Sequence, residues 1–206
     1  MTTVLFSRSR AVTLAAAVVT GALLGIIAPM LSSGVGTVGQ VASLVLSAGW
    51  AWAALAFAVG LSQTSRTASA AFGCIFLIAA VIAYYATKTA RGDFQTMDIH
   101  NPVLGEVHTN WGGVLGKTLV WCAMAVVLGS LLGLAGHFAR TDGMRGLAFR
   151  LVVPAIAAVD TSQRLHFDAP LRGGVATTTW TIVRLLAVAA AAALAGHAVL
   201  TRRPRV

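Results

Sequence analysis

The stretch Ala11–Leu31, AVTLAAAVVTGALLGIIAPML, decides the fold class, because none of its residues carries a charge. A bilayer core about 30 Å thick is crossed by a helix of roughly 20 apolar residues. Arg8 and Arg10 precede the run, which is longer than the core of a signal peptide and lacks a clean small-residue cleavage site. We therefore expect the first membrane span here.

The rest of the chain shares this composition. Of 206 residues, 57% are hydrophobic and 10% are charged, and the mean hydropathy is +0.82. A soluble domain carries more polar surface than that. The sequence predicts an all-α, polytopic transmembrane helical bundle that forms a single integral-membrane domain over residues 1–206, with no room for a separate soluble domain.

Five further apolar runs bring the expected number of spans to six. The spans are predicted near residues 11–31, 41–61, 68–87, 114–139, 146–161 and 177–201, and a polar outer loop is predicted over 88–113. The fifth run is only about 16 residues long and contains Pro154. It can be a short tilted span or a re-entrant helix.

Basic residues set the expected orientation. Six spans place eight arginines on cytoplasmic segments, against four basic residues on outer segments, which follows the positive-inside pattern. Both termini are therefore predicted to be cytoplasmic, and the protein to lie in the cell membrane. The net charge of +9 is explained in this way, and no basic face interleaved with exposed aromatic residues indicates nucleic-acid binding.

Two glycine pairs predict close helix packing. The segments GALLG (21–25) and GSLLG (129–133) each place two glycines four residues apart, a spacing that lets helix backbones approach closely in lipid. They fall in the first and fourth expected spans. An inverted repeat of three plus three spans would explain the similarity, and so would chance in a chain rich in Gly, Ala and Leu.

Four segments carry a resemblance to a known family. They are SAGWAWAALAFAVG (47–60), VIAYYAT (81–87), GSLLGLAGHFAR (129–140) and PAIAAVDTSQRL (154–165). Over roughly residues 15–165 the chain resembles an uncharacterised actinobacterial integral-membrane family. That family typically has Glu-Gly where this chain has Asp160-Thr161, so an acid in this region is shared in type. The resemblance implies architecture and no established function.

The stretch LVVPAIAAVDTSQRLHFD (151–168) carries the strongest candidate site. Asp160 ends an apolar run, and Arg184 lies about two turns inside the last span. A charge inside a membrane is expensive without a partner, so Asp160 and Arg184 are expected to pair. The pair can be structural or can bind a ligand, and Arg184 can instead extend to the interface. The other expected ligand-binding residues are Arg164, His166, Asp168, Trp50, Trp52, Trp121 and Trp180.

The sequence gives less support for a metal site, a disulfide, a nucleotide site or a catalytic nucleophile. Glu106 lies near His100 and His108 in the outer loop, but no HExxH spacing is present. The apolar setting of Cys74 and Cys122 favours packing over a disulfide. No nucleotide-binding or nucleophile motif is found either. We expect no metal site and no cofactor.

Three classes of function remain open from the sequence. The first is a protein that binds or translocates a small amphipathic molecule or ion in a cavity in the outer half of the membrane. The second is a membrane-embedded enzyme acting on a lipid or isoprenoid, with Asp160 or Glu106 as the catalytic acid. The third is a structural partner subunit of a larger membrane complex. The lipid bilayer, a small amphipathic or hydrophobic ligand and a partner membrane subunit are the expected partners.

Overall fold

The computed structural model describes residues 2–31, 36–97 and 107–200. Within these ranges the chain forms nine helices and two short strands. They are α1 (Thr2–Leu31), α2 (Thr37–Leu46), α3 (Gly49–Leu61), α4 (Arg66–Ala90), β1 (Gln95–Met97), β2 (Val107–Thr109), α5 (Trp111–Phe138), α6 (Gly143–Arg150), α7 (Val152–Phe167), α8 (Ala169–Arg172) and α9 (Gly174–Leu200). The expected all-α class is confirmed; the two strands form one small hairpin inside the predicted outer loop.

Four helices are long and apolar enough to cross a membrane. They are α1 from Ala11, α4, α5 and α9, and a fifth candidate is α2 with α3, two helices bent by 60° at a short break. Their outward faces are strongly apolar, and only 6% of the most apolar window of α9 is buried within the protein. An apolar surface of this extent suits lipid rather than water as the solvent.

Helix α4 lies at the centre of the main core. Its residues Phe76 and Ala80 are buried against α1, α3 and α5, in a cluster that also contains Leu24, Ala56 and Leu132. A second, smaller cluster joins α2, α8 and α9 around the buried Trp180. The bundle is therefore built around α4, with α7 and α9 packed at its side.

The predicted glycine pairs lie where helices approach closely. A Cβ atom added to Gly21 or Gly25 of α1 would strike the backbone carbonyls of Phe76 or Ala80 on α4. Gly129 and Gly133 of α5 pack on the backbone of the same helix nearer its start, at Gly73 and Ser69. Both glycine pairs thus allow the backbones of α1 and α5 to pack directly against the backbone of α4.

Two ends of the bundle can be distinguished by their polar contacts. At the hairpin end, β1 pairs with β2 in antiparallel register, Thr96 opposite His108, and Arg91 donates a hydrogen bond to the carbonyl of Pro29 at the end of α1. At the arginine end, Arg140 donates to Gln63 O at 3.0 Å and Arg150 donates to Ala139 O at 2.7 Å. Arginine side chains here satisfy carbonyls that the helix ends leave open.

The expected fifth span, 146–161, falls on two consecutive helices, α6 and α7. Pro154 is the third residue of α7, where its missing N–H costs no helical hydrogen bond. The break at Leu151 lies where proline disfavours a continuous helix. Arg150 holds the start of α7 at the arginine end, and with 16 residues α7 extends about 24 Å towards the hairpin end.

Candidate functional site

The bend between α2 and α3 creates the first part of the site. The helix break leaves the carbonyl groups at the end of α2 without helical partners. The Nε1–H of Trp52, one of the two tryptophans that the sequence places in mid-span, donates to Leu46 O at 2.8 Å across the bend. Trp52 therefore holds the broken helix in its bent form. Ser47 and Gly49, at the break itself, line the cavity described next.

A cavity of about 340 Å³ opens beside this bend. Its lining comes from α3, α4, α5, α7 and the α2–α3 break, and consists of Ser47, Gly49, Trp52, Val81, Tyr84, Tyr85, Trp121 and Arg164. The volume lies at the lower end of the range of small-molecule sites. Trp121 lies ten residues from the start of α5, so the cavity reaches about 15 Å below the hairpin end of that helix.

Aromatic residues make up four of the eight that line the cavity. Trp52 packs edge-on against Tyr84 with ring centroids 5.7 Å apart, and Tyr84 packs edge-on against Tyr85 at 5.4 Å. Edge-to-face pairs of this kind stabilise ring positions beyond the area they bury. Phe94, just before the hairpin, packs near Tyr85, with the two ring centroids 6.1 Å apart. The wall is thus anchored to the hairpin end of the fold.

Arg164 supplies the charged residue of the wall. Its Nε lies 3.1 and 3.2 Å from the two carboxylate oxygens of Asp160, one turn earlier on α7. Its Nη1 lies 3.9 Å from Asp168, one turn later, and its guanidinium lies 5.9 Å from the ring centre of Trp180. These neighbours fix the side chain from three directions.

The expected pair between Asp160 and Arg184 is not formed. Both carboxylate oxygens of Asp160 face Arg164 instead, because residues four apart on one helix are direct neighbours. Arg184 is half-buried on α9, and among the described residues it makes no ion pair. The four-residue spacing of Asp160 and Arg164 is the signal in the sequence that indicates this nearer partner.

The remaining predicted residues are distributed unevenly. Trp180 is 1% exposed and lies beneath Arg164 rather than at the cavity wall. Trp50 is half-buried, and its buried Nε1 finds no acceptor in the described part of the chain. His166 packs against Phe167, and Asp168 caps the end of α7. Glu106 lies outside the described residues.

Five of the eight lining residues were not among the expected site residues, and two of the five, Tyr84 and Tyr85, are aromatic. Tyr84 and Tyr85 lie near the end of the third expected span, where tyrosines commonly lie at the membrane interface. The structure places both at the cavity wall. Both tyrosines lie five to six residues before the end of α4. This position is far enough inside the helix for them to lie level with Trp50 and Trp52, and it is the signal that could have indicated their place in the wall.

Metal ligation finds no support in the described ranges. No three side chains of His, Cys, Asp or Glu come together among residues 2–31, 36–97 and 107–200. A second, larger space of about 510 Å³ lies between α2 and α9, but its lining is almost entirely apolar. The aromatic cavity is therefore the place where polar and apolar groups converge.

Comparison with protein-family models, with curated proteins and with solved structures finds no match to this chain. The resemblance to an actinobacterial membrane family stays a prediction, and function must be argued from the geometry of the chain itself.

Proposed function

We propose that this protein is a cell-membrane protein that binds a small amphipathic molecule in the aromatic cavity. One observation carries the proposal: four aromatic side chains and one arginine converge on a space of about 340 Å³ beside a broken helix. Ligand sites are mostly apolar with a few fixed polar groups. In membrane transporters such sites commonly lie at discontinuous helices, so translocation of the bound molecule belongs to the same proposal.

The orientation of the cavity follows from a six-crossing topology, which we also propose. The start of α7 lies at the arginine end, while its residue Arg164 lines a cavity that Tyr84 and Tyr85 reach from near the hairpin end. A chain path of this kind supports α6 with α7 as the fifth crossing. Cytoplasmic arginines then place the cavity in the outer half of the membrane.

No observation on the described residues specifically favours the enzyme alternative. Asp160 does not belong to the cavity wall, and both of its oxygens accept from Arg164. The other candidate acid, Glu106, lies beyond the described residues. A structural subunit without a ligand is tested by the experiment below.

The test compares two tryptophans on the same helix. Trp121 lines the cavity and is 51% exposed, whereas Trp111 is 62% exposed at the start of α5 and outside the cavity wall. We expect native mass spectrometry of the purified protein to detect a bound small molecule, and Trp121→Ala to reduce its occupancy at least several-fold. Trp111→Ala should leave occupancy unchanged. An empty wild-type protein that also fails to bind added amphiphiles would contradict the proposal.

A further inference from the structure

Arg164 differs from every other residue in the cavity wall. Of the eight residues that line the space, it alone carries a charge. The side chain is held between Asp160 and Asp168 on α7, and neither of these carboxylates belongs to the wall. The charged group that a ligand touches at the wall is therefore the guanidinium.

The guanidinium group keeps unused hydrogen-bond donors. An arginine has five N–H groups, one on Nε and four on the two Nη atoms. In the described part of the chain only Nε donates within hydrogen-bond distance, to Asp160. The 3.9 Å between Nη1 and Asp168 Oδ2 is too long for a hydrogen bond. Among the described residues the Nη groups have no acceptor within hydrogen-bond distance, so they are available to donate to a ligand at the wall.

An oxyanion meets this requirement best. Carboxylate and phosphate groups accept two parallel hydrogen bonds from a guanidinium, and charge makes these bonds stronger than neutral ones. An alkylammonium offers no acceptor to these N–H groups. A hydroxyl offers an acceptor without the charge. The neighbouring Asp160 and Trp180 hold the guanidinium in place, which reduces the ordering required on binding.

We infer that the ligand is an amphiphile with an oxyanion head, carboxylate or phosphate, which Arg164 binds while the apolar tail packs among Trp52, Tyr84 and Trp121. This inference rests on the proposed function, since it names the ligand class of the same cavity. A free fatty acid supplies the carboxylate chemistry and a phosphorylated lipid supplies the phosphate chemistry. Both present two oxygens that share a delocalised negative charge to the guanidinium.

The experiment uses the full-length protein in a non-ionic detergent and a matched series of alkyl amphiphiles. All share one tail length, and their heads are carboxylate, phosphate, trimethylammonium and hydroxyl. Binding is followed by native mass spectrometry and by quenching of tryptophan fluorescence. We expect the oxyanion probes to bind roughly tenfold or more tightly than the hydroxyl probe. The stronger of the two oxyanions identifies the source of the head group.

Variants separate the role of Arg164 from general stability. Arg164→Gln should abolish the preference for oxyanions, and Arg164→Lys should restore part of it, because lysine keeps the charge without the planar fork. Arg172→Gln is the matched control, an arginine outside the cavity wall. The double variant Asp160→Asn with Arg164→Gln removes both charges of the pair. It answers the same question if the single variant fails to fold.

The outcomes distinguish the two levels of the proposal. Equal binding of hydroxyl and oxyanion probes, or tighter binding of trimethylammonium, would overturn the ligand class and leave the binding function standing. Loss of the oxyanion preference in Arg172→Gln would also overturn the role of Arg164. Failure of every probe to bind the wild-type protein would overturn the binding function itself.

Discussion

At the scale of single residues, two tryptophans close together in sequence have different roles. Trp50 and Trp52 are both half-buried on α3, yet only Trp52 donates a hydrogen bond, to the carbonyl of Leu46. A buried acceptor left without a donor costs free energy. The side chain of Trp52 therefore stabilises the bend and lines the cavity at the same time.

Replacing Trp52 with phenylalanine tests the first of these roles. Trp52→Phe keeps an aromatic ring in the wall and removes the donor to Leu46 O, so we expect the unfolding free energy to fall by about 1–3 kcal/mol. Thermal unfolding in detergent measures the effect. Trp121→Phe, at an exposed cavity residue, is the control and should change stability much less. Equal stability of Trp52→Phe and wild type would show that the hydrogen bond does not hold the bend.

At the scale of helices, glycine decides how closely α5 approaches its neighbours. Gly133 packs on the backbone of Ser69, whose hydroxyl is fully buried and donates to Gly60 O at 3.0 Å. Gly116, on the same helix, has open space where a Cβ would lie. One helix thus contains a glycine that packing requires and another that packing does not require.

Alanine substitutions at these two positions should have opposite effects. Gly133→Ala places a methyl group against the Ser69 carbonyl, so α5 must move away from α4, and we expect a loss of about 1–3 kcal/mol. Gly116→Ala should be neutral or stabilising by up to about 1 kcal/mol, because alanine favours helix. Thermal unfolding of both variants measures the difference. A stable Gly133→Ala protein would mean that the contact is looser than the structure shows.

At the scale of the whole molecule, the number of crossings decides where the cavity opens. Among the described residues four helices qualify as spans by themselves, and the bent pair makes a fifth if it crosses as one span. The path of α6 and α7 then sets whether there is a sixth crossing. If these helices cross together, both termini lie on the cytoplasmic side. If they return to the side they left, the C-terminus lies outside.

Cysteine labelling in intact cells answers this question. The background protein carries Cys74→Ser and Cys122→Ser, and single cysteines are placed at Thr96, Thr141 or Val206. We expect a membrane-impermeant maleimide to label Thr96→Cys only, and to label the other two after the membrane is permeabilised. Labelling of Val206→Cys from outside would contradict six crossings. Thr141→Cys serves as the internal control for leakage.

The sequence by itself determined the class of this protein and several of its contacts. Apolar run length alone predicts membrane-crossing helices, since the bilayer sets both the length and the hydrophobicity of a span. The glycine spacing at 21–25 and 129–133 predicted close packing, because a four-residue spacing places both glycines on one helix face. Of the expected ligand-binding residues, Trp52, Trp121 and Arg164 meet at the cavity.

Only the tertiary structure decided where the cavity lies and whether Arg184 reaches Asp160. Asp160 turned to Arg164 rather than Arg184, a choice between a neighbour on the same helix and one on another helix. The segment that bends by 60° between α2 and α3 contains no proline, so no proline in the sequence predicts the bend. Tyr84 and Tyr85 joined the wall because α4 packs at the centre of the bundle. Local periodicity records which face of a helix is apolar, whereas the partner of that face depends on how the helices pack together.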